Sequence, residues 1–167
     1  MKKVNIRALE PEDLDMLYKI ENDDSLWRVG NTNVPYSRYA LHDYIAHASN
    51  DIYTDKQVRL MIEDTGGHPV GILDFVDFNP QHLRAEIGIV IESRYRRQGL
   101  ATAALKEAID YSRRILHLHQ LYAIVDLENE EALSLFRKQN FKGNTVLSHW
   151  LFDGKQYHAA LLMQFFL

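Results

Sequence analysis

Residues Ala85 to Asp110 read AEIGIVIESRYRRQGLATAALKEAID, and three textures follow one another within them. Glu86-Ile87-Gly88-Ile89-Val90-Ile91 is β-branched, almost uncharged and too short for a stable helix, which predicts a strand buried on both faces. From Thr102 the period changes. Leu105, Ala108, Ile109, Ser112, Ile115 and Leu116 recur at helical spacing, with Lys106, Glu107, Asp110, Arg113 and Arg114 on the solvated side. Between strand and helix lies the loop Arg94-Tyr95-Arg96-Arg97-Gln98-Gly99-Leu100-Ala101.

Arginines at 94, 96 and 97 precede a helix whose first N–H groups already present partial positive charge. Such a position favours Asp or Glu, and each cation placed there costs about 0.3–1 kcal/mol unless something compensates it. Gly99, without a Cβ, and the small Ala101 let an anion approach the backbone. The plain alternative is a solvated basic turn. The strand before and the helix after favour a phosphate cradle.

Arg96-x-x-Gly99-x-Ala101 after such a strand resembles the pyrophosphate-binding motif of the GNAT N-acetyltransferases, Q/R-x-x-G-x-G/A. Asn129-Glu-Glu-Ala132-Leu-Ser-Leu135-Phe136-Arg-Lys-Gln-Asn140-Phe141 is similar to a second segment of that family, N-x-x-A/S-x-x-L-Y-x-x-x-G-F. The resemblance runs nearly end to end. Its cadence is nearest the spermidine N-acetyltransferases and the relatives that acetylate ribosomal-protein N-termini.

A length of 167 residues suits one domain, 1–167, with an ample core. The net charge of −4 argues against a nucleic-acid partner for the molecule as a whole. Without cysteine there is no disulfide, thiolate metal site or acyl-cysteine intermediate. The first residues lack the apolar run of a signal peptide and no segment has bilayer-spanning length, so a cytoplasmic location and no membrane partner are expected. The apolar ending Phe165-Phe166-Leu167 points to burial in a homo-oligomer.

Val4, Ile6 and Ala8 alternate as an opening strand, and Pro11 starts a helix with Leu14, Leu17 and Tyr18 on one face. Glu21 to Pro35 reads as loop, and Ser37 caps a second helix. Val58 to Ile62 and Val70 to Asp77 flank Thr65-Gly66-Gly67 as a hairpin, and Leu121 to Leu127 is strand-like. Asn129 caps a helix with Glu130 and Glu131 in its first turn, and Leu147 to Phe152 and Tyr157 to Phe166 flank Asp153-Gly154 as a closing hairpin. The order predicts an α+β fold, a mixed sheet with helices on both faces. It matches the GNAT fold, whose resemblance implies about seven mostly antiparallel strands, with the central strand and the next splaying apart for a pantetheine arm.

The resemblance implies acetyl-CoA as cosubstrate, with no metal, and an amine acceptor. It places the diphosphate on Arg96, Arg97, Gln98, Gly99, Leu100, Ala101 and Thr102, and the pantetheine arm along Ile89, Val90 and Ile91. Asn129 then contacts the pantetheine or a bound water, as well as capping its helix. Acyl transfer needs a neutral amine, so a base is required, and Glu86 within an apolar strand is the candidate. Its alternative is a strand-end carboxylate facing solvent or paired with Arg84.

Phe136 stands where many relatives carry a tyrosine that protonates the leaving thiolate, with Tyr157, Tyr122 or water left as substitutes. Asn140 replaces a Gly, a milder departure, since Asn also tolerates a left-handed helix end. His117 and His119 have no partner at ligand spacing, which argues against a metal. Glu21, Asp24 and Trp27 suit a polycation such as spermidine. The glutamate run that follows this region in the spermidine enzymes is missing, however, since Gly30 to Ser37 read GNTNVPYS. Protein N-termini and other small amines therefore stay open as acceptors, and Phe136 leaves a catalytically idle acyl-CoA-binding module as the competing class.

Overall fold

The computed structural model describes residues 2–27 and 34–167. The apolar runs pair into one sheet of seven strands: β1 (Asn5–Ala8), β2 (Val58–Glu63), β3 (Pro69–Asn79), β4 (Arg84–Ile91), β5 (Gln120–Asp126), β6 (Lys142–Phe152) and β7 (Tyr157–Phe166). Their spatial order is β1-β2-β3-β4-β5-β7-β6. Every neighbouring pair is antiparallel except β4 and β5.

The helices are α1 (Leu14–Glu21), α2 (Arg38–His47), α3 (Ile52–Asp55), α4 (Leu100–Arg114) and α5 (Glu130–Lys138). Strand alternation sends adjacent residues to opposite faces. Ile72 packs with Met16 and Ile20 of α1, while Leu73 packs in the larger core with Leu105 of α4 and Leu133 of α5. The sheet is thus covered on both faces, as the element order predicts.

Local chemistry explains where elements begin. Ser37 Oγ accepts from Ala40 N at 3.0 Å, capping α2 as expected. The helix expected from Pro11 starts as a 3-10 turn, Pro11–Asp13, because the buried Asp13 is tied to Arg7 at 2.6 and 2.9 Å and to Glu10 N at 2.8 Å. The four-residue α3 was not legible in the sequence; Asp51 caps it through Tyr53 N. The loop expected from Glu21 to Pro35 contains a 3-10 turn, Asp24–Leu26, and its residues 28–33 lie outside those described, as does half of the stretch lacking glutamates.

Two expectations need correction. The central strand is not buried on both faces: Ala85, Ile87 and Ile91 are buried, whereas Glu86, Ile89 and Val90 are half-buried and Gly88 is exposed. An apolar run looks the same in sequence whether protein or an open cleft covers its second face. At the C-terminal end, Phe165 and Leu167 pack against this chain's own core, Phe165 stacking 5.2 Å from Phe141, so of the apolar ending it is Phe166 that faces outward.

Candidate active site

The parallel pairing of β4 with β5 covers Arg84↔Gln120, Ala85↔Leu121 and Glu86↔Tyr122 and then stops. Beyond it β4 stays paired with β3 as far as Ile91↔Gly71, and β5 stays paired with β7 as far as Asp126↔Ala160. Each strand is held by its outer neighbour while their facing edges part. A cleft of about 580 Å³ opens there, lined by Ile87 to Val90, Ala123 to Asp126, and Asn129, Ala132 and Phe136. Its opposite side carries Glu21, Trp27, Tyr36, Tyr44, Arg59 and Asp74.

β4 leads through a 3-10 turn, Ser93–Tyr95, into the start of α4. There Gly99 adopts φ 80°, a left-handed conformation that other residues resist, and no side chain caps the helix or supplies an acid to its first turn. The preceding arginines are not uncompensated. Arg94 pairs with Glu92 at 2.7 Å, Arg96 Nε donates to Ile91 O at 2.9 Å, and Arg97 reaches Glu131 on α5 at 3.1 Å. Burial alone would raise the Glu92 carboxyl, but hydrogen bonds from Lys19 and Ser93 outweigh it and hold the group below its ordinary value. What stays bare at this helix start, among the described residues, is the row of backbone N–H groups. Gln98 and Leu100 line a second hollow of about 550 Å³ with Lys2, Lys3 and Arg94.

Of the residues expected to bind cofactor, the cleft gathers Ile89, Val90 and Asn129. Ile91 is buried, and Arg96, Arg97, Gln98, Gly99, Leu100, Ala101 and Thr102 lie outside the cleft lining, in the loop and first turn that β4 runs into. Asn129 accepts from Ala132 N at 3.1 Å, so the cap is formed at the cleft wall.

Glu86 lines the cleft at the point of parting, and among the described residues it has no ion-pair partner, Arg84 included. Burial, then the negative charge of Asp77, pushes its carboxyl above the ordinary value. Tyr122, its register partner, donates its hydroxyl to Asp77 Oδ2 at 2.6 Å. Burial and that bond make Tyr122 a weaker acid than usual, its proton directed at Asp77 and its ring outside the cleft lining. Tyr157 is 61% exposed on the closing hairpin, 5.0 Å from Phe152. Phe136 is buried against Phe141 at 5.0 Å.

Elsewhere in the cleft lining, Arg59 is gripped by Asp74 at 2.6 and 2.9 Å and also pairs with Glu21. Trp27 Nε1 donates to Glu21 O at 2.9 Å. Glu21 and Trp27 therefore reach the cleft, whereas Asp24 is exposed in its turn and does not line it. Sequence reasoning missed Arg59 and Asp74, which alternation alone places on one strand face without saying what that face meets. It also missed Asp126, Glu128 and His158, whose donor atoms lie within 4.8 Å of one another. These come from β5, the turn after it and β7, a conjunction with no local signal.

The chain matches the family model described as the acetyltransferase (GNAT) domain over residues 3–142. It is 35% identical over 167 residues to the spermidine N(1)-acetyltransferase of Escherichia coli, covering 98% of this chain and 86% of that one. A crystal structure of spermidine N-acetyltransferase from Vibrio cholerae, in complex with CoA and spermine, superposes with a TM-score of 0.86 at 27% identity, covering 98% of this chain and 95% of that one. A dodecameric structure of the Vibrio cholerae enzyme superposes at 0.82 with 26% identity, covering 98% and 94% of the two chains. Family model, relatives and superposed structures agree, and the chain belongs to the GNAT acetyltransferase family and is an acetyl-CoA-dependent amine N-acetyltransferase.

Proposed function

We propose that the protein acetylates a polyamine such as spermidine, with the pantetheine arm of acetyl-CoA between β4 and β5 and its diphosphate at the start of α4. The observation that carries this reading is the parting of β4 from β5 immediately after Glu86↔Tyr122. Backbone groups of Ile89, Val90 and Ile91 then face the arm, and N–H groups released from strand pairing are available to the thioester oxygen. Arg96, Arg97, Gln98, Gly99, Leu100, Ala101 and Thr102 supply the cradle, and Asn129 the contact from the opposite wall.

Support for a polycationic acceptor comes from charge. Among the described residues the cleft sets Glu21, Asp74, Glu86 and Asp126 against the guanidinium of Arg59, between the aromatic surfaces of Trp27, Tyr36 and Tyr44. The relatives named for spermidine argue in the same direction.

Glu86 takes a proton from the bound ammonium, directly or through water. The neutral nitrogen attacks the thioester carbonyl, a C–N bond forms, the nitrogen gives up its second proton to water, and the C–S bond breaks as the tetrahedral intermediate collapses. Phe136 has no proton to give, so CoA departs as a thiolate and is protonated by solvent. A thiol's reference pKa near about 8.5 makes that departure feasible.

The reading extends to the setting. A cytoplasmic location fits a chain in which no helix of the described residues is long and apolar enough to cross a membrane. Assembly with further copies fits the exposed Val146, Trp150, Phe152 and Tyr157 on β6 and β7.

Thiol release across a panel of polyamines, aminoglycosides and N-terminal peptides tests the whole. Turnover with spermidine supports the proposal, and tight CoA binding with no turnover on any amine identifies an idle binding module. Glu86→Gln should lower kcat by about 10²–10⁴-fold, the usual scale for loss of a general base, with CoA affinity intact. Because the folded Glu86 holds its proton more tightly than an unfolded one, its charge lowers stability as pH rises through the raised value. The same substitution should therefore raise Tm at neutral pH, and the acid limb of wild-type kcat/KM should lie above the ordinary glutamate range.

A further inference from the structure

Two turns meet at the outer end of the cleft. One joins β5 to α5: Asp126 Oδ1 accepts from Glu128 N at 2.9 Å, and Asn129 N donates to Asp126 O at 2.9 Å, so this turn sets where Asn129 stands. The other joins β6 to β7, where Asp153 Oδ1 accepts from Lys155 N and Gln156 N, each at 2.8 Å. The His158 ring lies between them. Its Nε2 is 2.7 Å from Asp153 Oδ2, its Nδ1 is 3.4 Å from Glu128 Oε2, and it shares the 4.8 Å grouping with Asp126.

We infer that His158 is a positioning residue for acetyl-CoA, clamping the turn that carries Asn129 to the closing hairpin. The inference rests on the proposal that this cleft holds the cofactor.

Position explains why the clamp matters to this ligand in particular. Asp126 is 2% exposed and lines the cleft. Removing the ring takes away the brace behind the turn that sets both Asn129 and Asp126 in the cleft wall. Backbone N–H groups, first that of Gln156, and then His158 hold the Asp153 carboxyl well below the ordinary range, which keeps it an acceptor for the ring. The role is one of placement. Nothing in the arrangement directs His158 at the acceptor amine or at Glu86.

Calorimetry with CoA comes first. No binding to the wild-type protein would overturn the cleft reading itself, before His158 is considered. Given wild-type binding, His158→Ala should weaken CoA about tenfold, the scale of one charged hydrogen bond. It should raise KM for acetyl-CoA to match while leaving KM for the amine and kcat at saturating acetyl-CoA within about twofold. Asp153→Asn should shift CoA affinity the same way by a smaller factor, and His158→Arg, which keeps N–H donors between the turns, should recover most of the loss. Wild-type CoA affinity in His158→Ala overturns the inference. So does a parallel fall in kcat and amine affinity with a lowered Tm, which would make the residue a general fold contact. Loss of wild-type CoA affinity on treatment with a chelator also overturns it, by transferring the clamp to a divalent cation held by the same side chains.

Discussion

Helices α4 and α5 follow the two strands that part, and they begin in opposite ways. α5 is complete in itself: Asn129 caps it, Glu130 and Glu131 occupy its first turn, and Arg137 and Lys138 close its last. α4 ends by the same rule, with Arg113 and Arg114 in its last turn, yet it starts with a left-handed Gly99, no capping side chain, no acid and three arginines just upstream. One helix thus obeys the dipole at both ends and the other at one. A start that satisfies itself has nothing to offer a ligand, whereas a start left bare keeps its N–H groups for an anion.

Making the two starts alike should have the largest effect. Thr102→Asp puts a carboxylate in the first turn of α4, which by the dipole rule adds about 0.3–1 kcal/mol of stability. It should nonetheless weaken CoA by about 100-fold, since two like charges several ångströms apart at a surface repel on the scale of a few kcal/mol. Tm and CoA affinity moving in opposite directions is the signature, and unchanged affinity would break the comparison. The converse change, Asn129→Ala, removes the cap of α5 and should cost about 1 kcal/mol in denaturant unfolding. Its loss of CoA affinity should be smaller than that of Thr102→Asp. Arg97→Ala should have the smallest effect. Its pair with Glu131 joins two exposed side chains and contributes little to stability, so Tm should hold. CoA affinity should fall modestly, by an amount that shrinks as salt is added.

The same contrast separates what was legible in the sequence from what was not. The strand, loop and helix around Gly99, and the caps Ser37 and Asn129, were readable because each depends on neighbours a few residues away. So was the Asp153-Gly154 turn, where Gly154 sits at φ 92°. The face of β4 was misread for the opposite reason: Ile89 and Val90 are apolar because a ligand-sized space adjoins them, and composition does not distinguish that space from a packed neighbour. Arg59 between Glu21 and Asp74, Tyr122 on Asp77, and His158 between two turns join residues from separate strands and loops, and nothing in a linear pattern marks such meetings. The splay itself was known from resemblance alone. The chain shows it as a register that stops at Glu86↔Tyr122, which depends on how β3 and β7 hold the outer edges.

The most direct test is a crystal structure of the protein with CoA bound. The diphosphate oxygens should lie about 2.7–3.2 Å from backbone nitrogens in the Gly99 to Thr102 turn, with the pantetheine arm between β4 and β5. A diphosphate seated at the start of α5, or held by arginine side chains away from those N–H groups, would contradict the account.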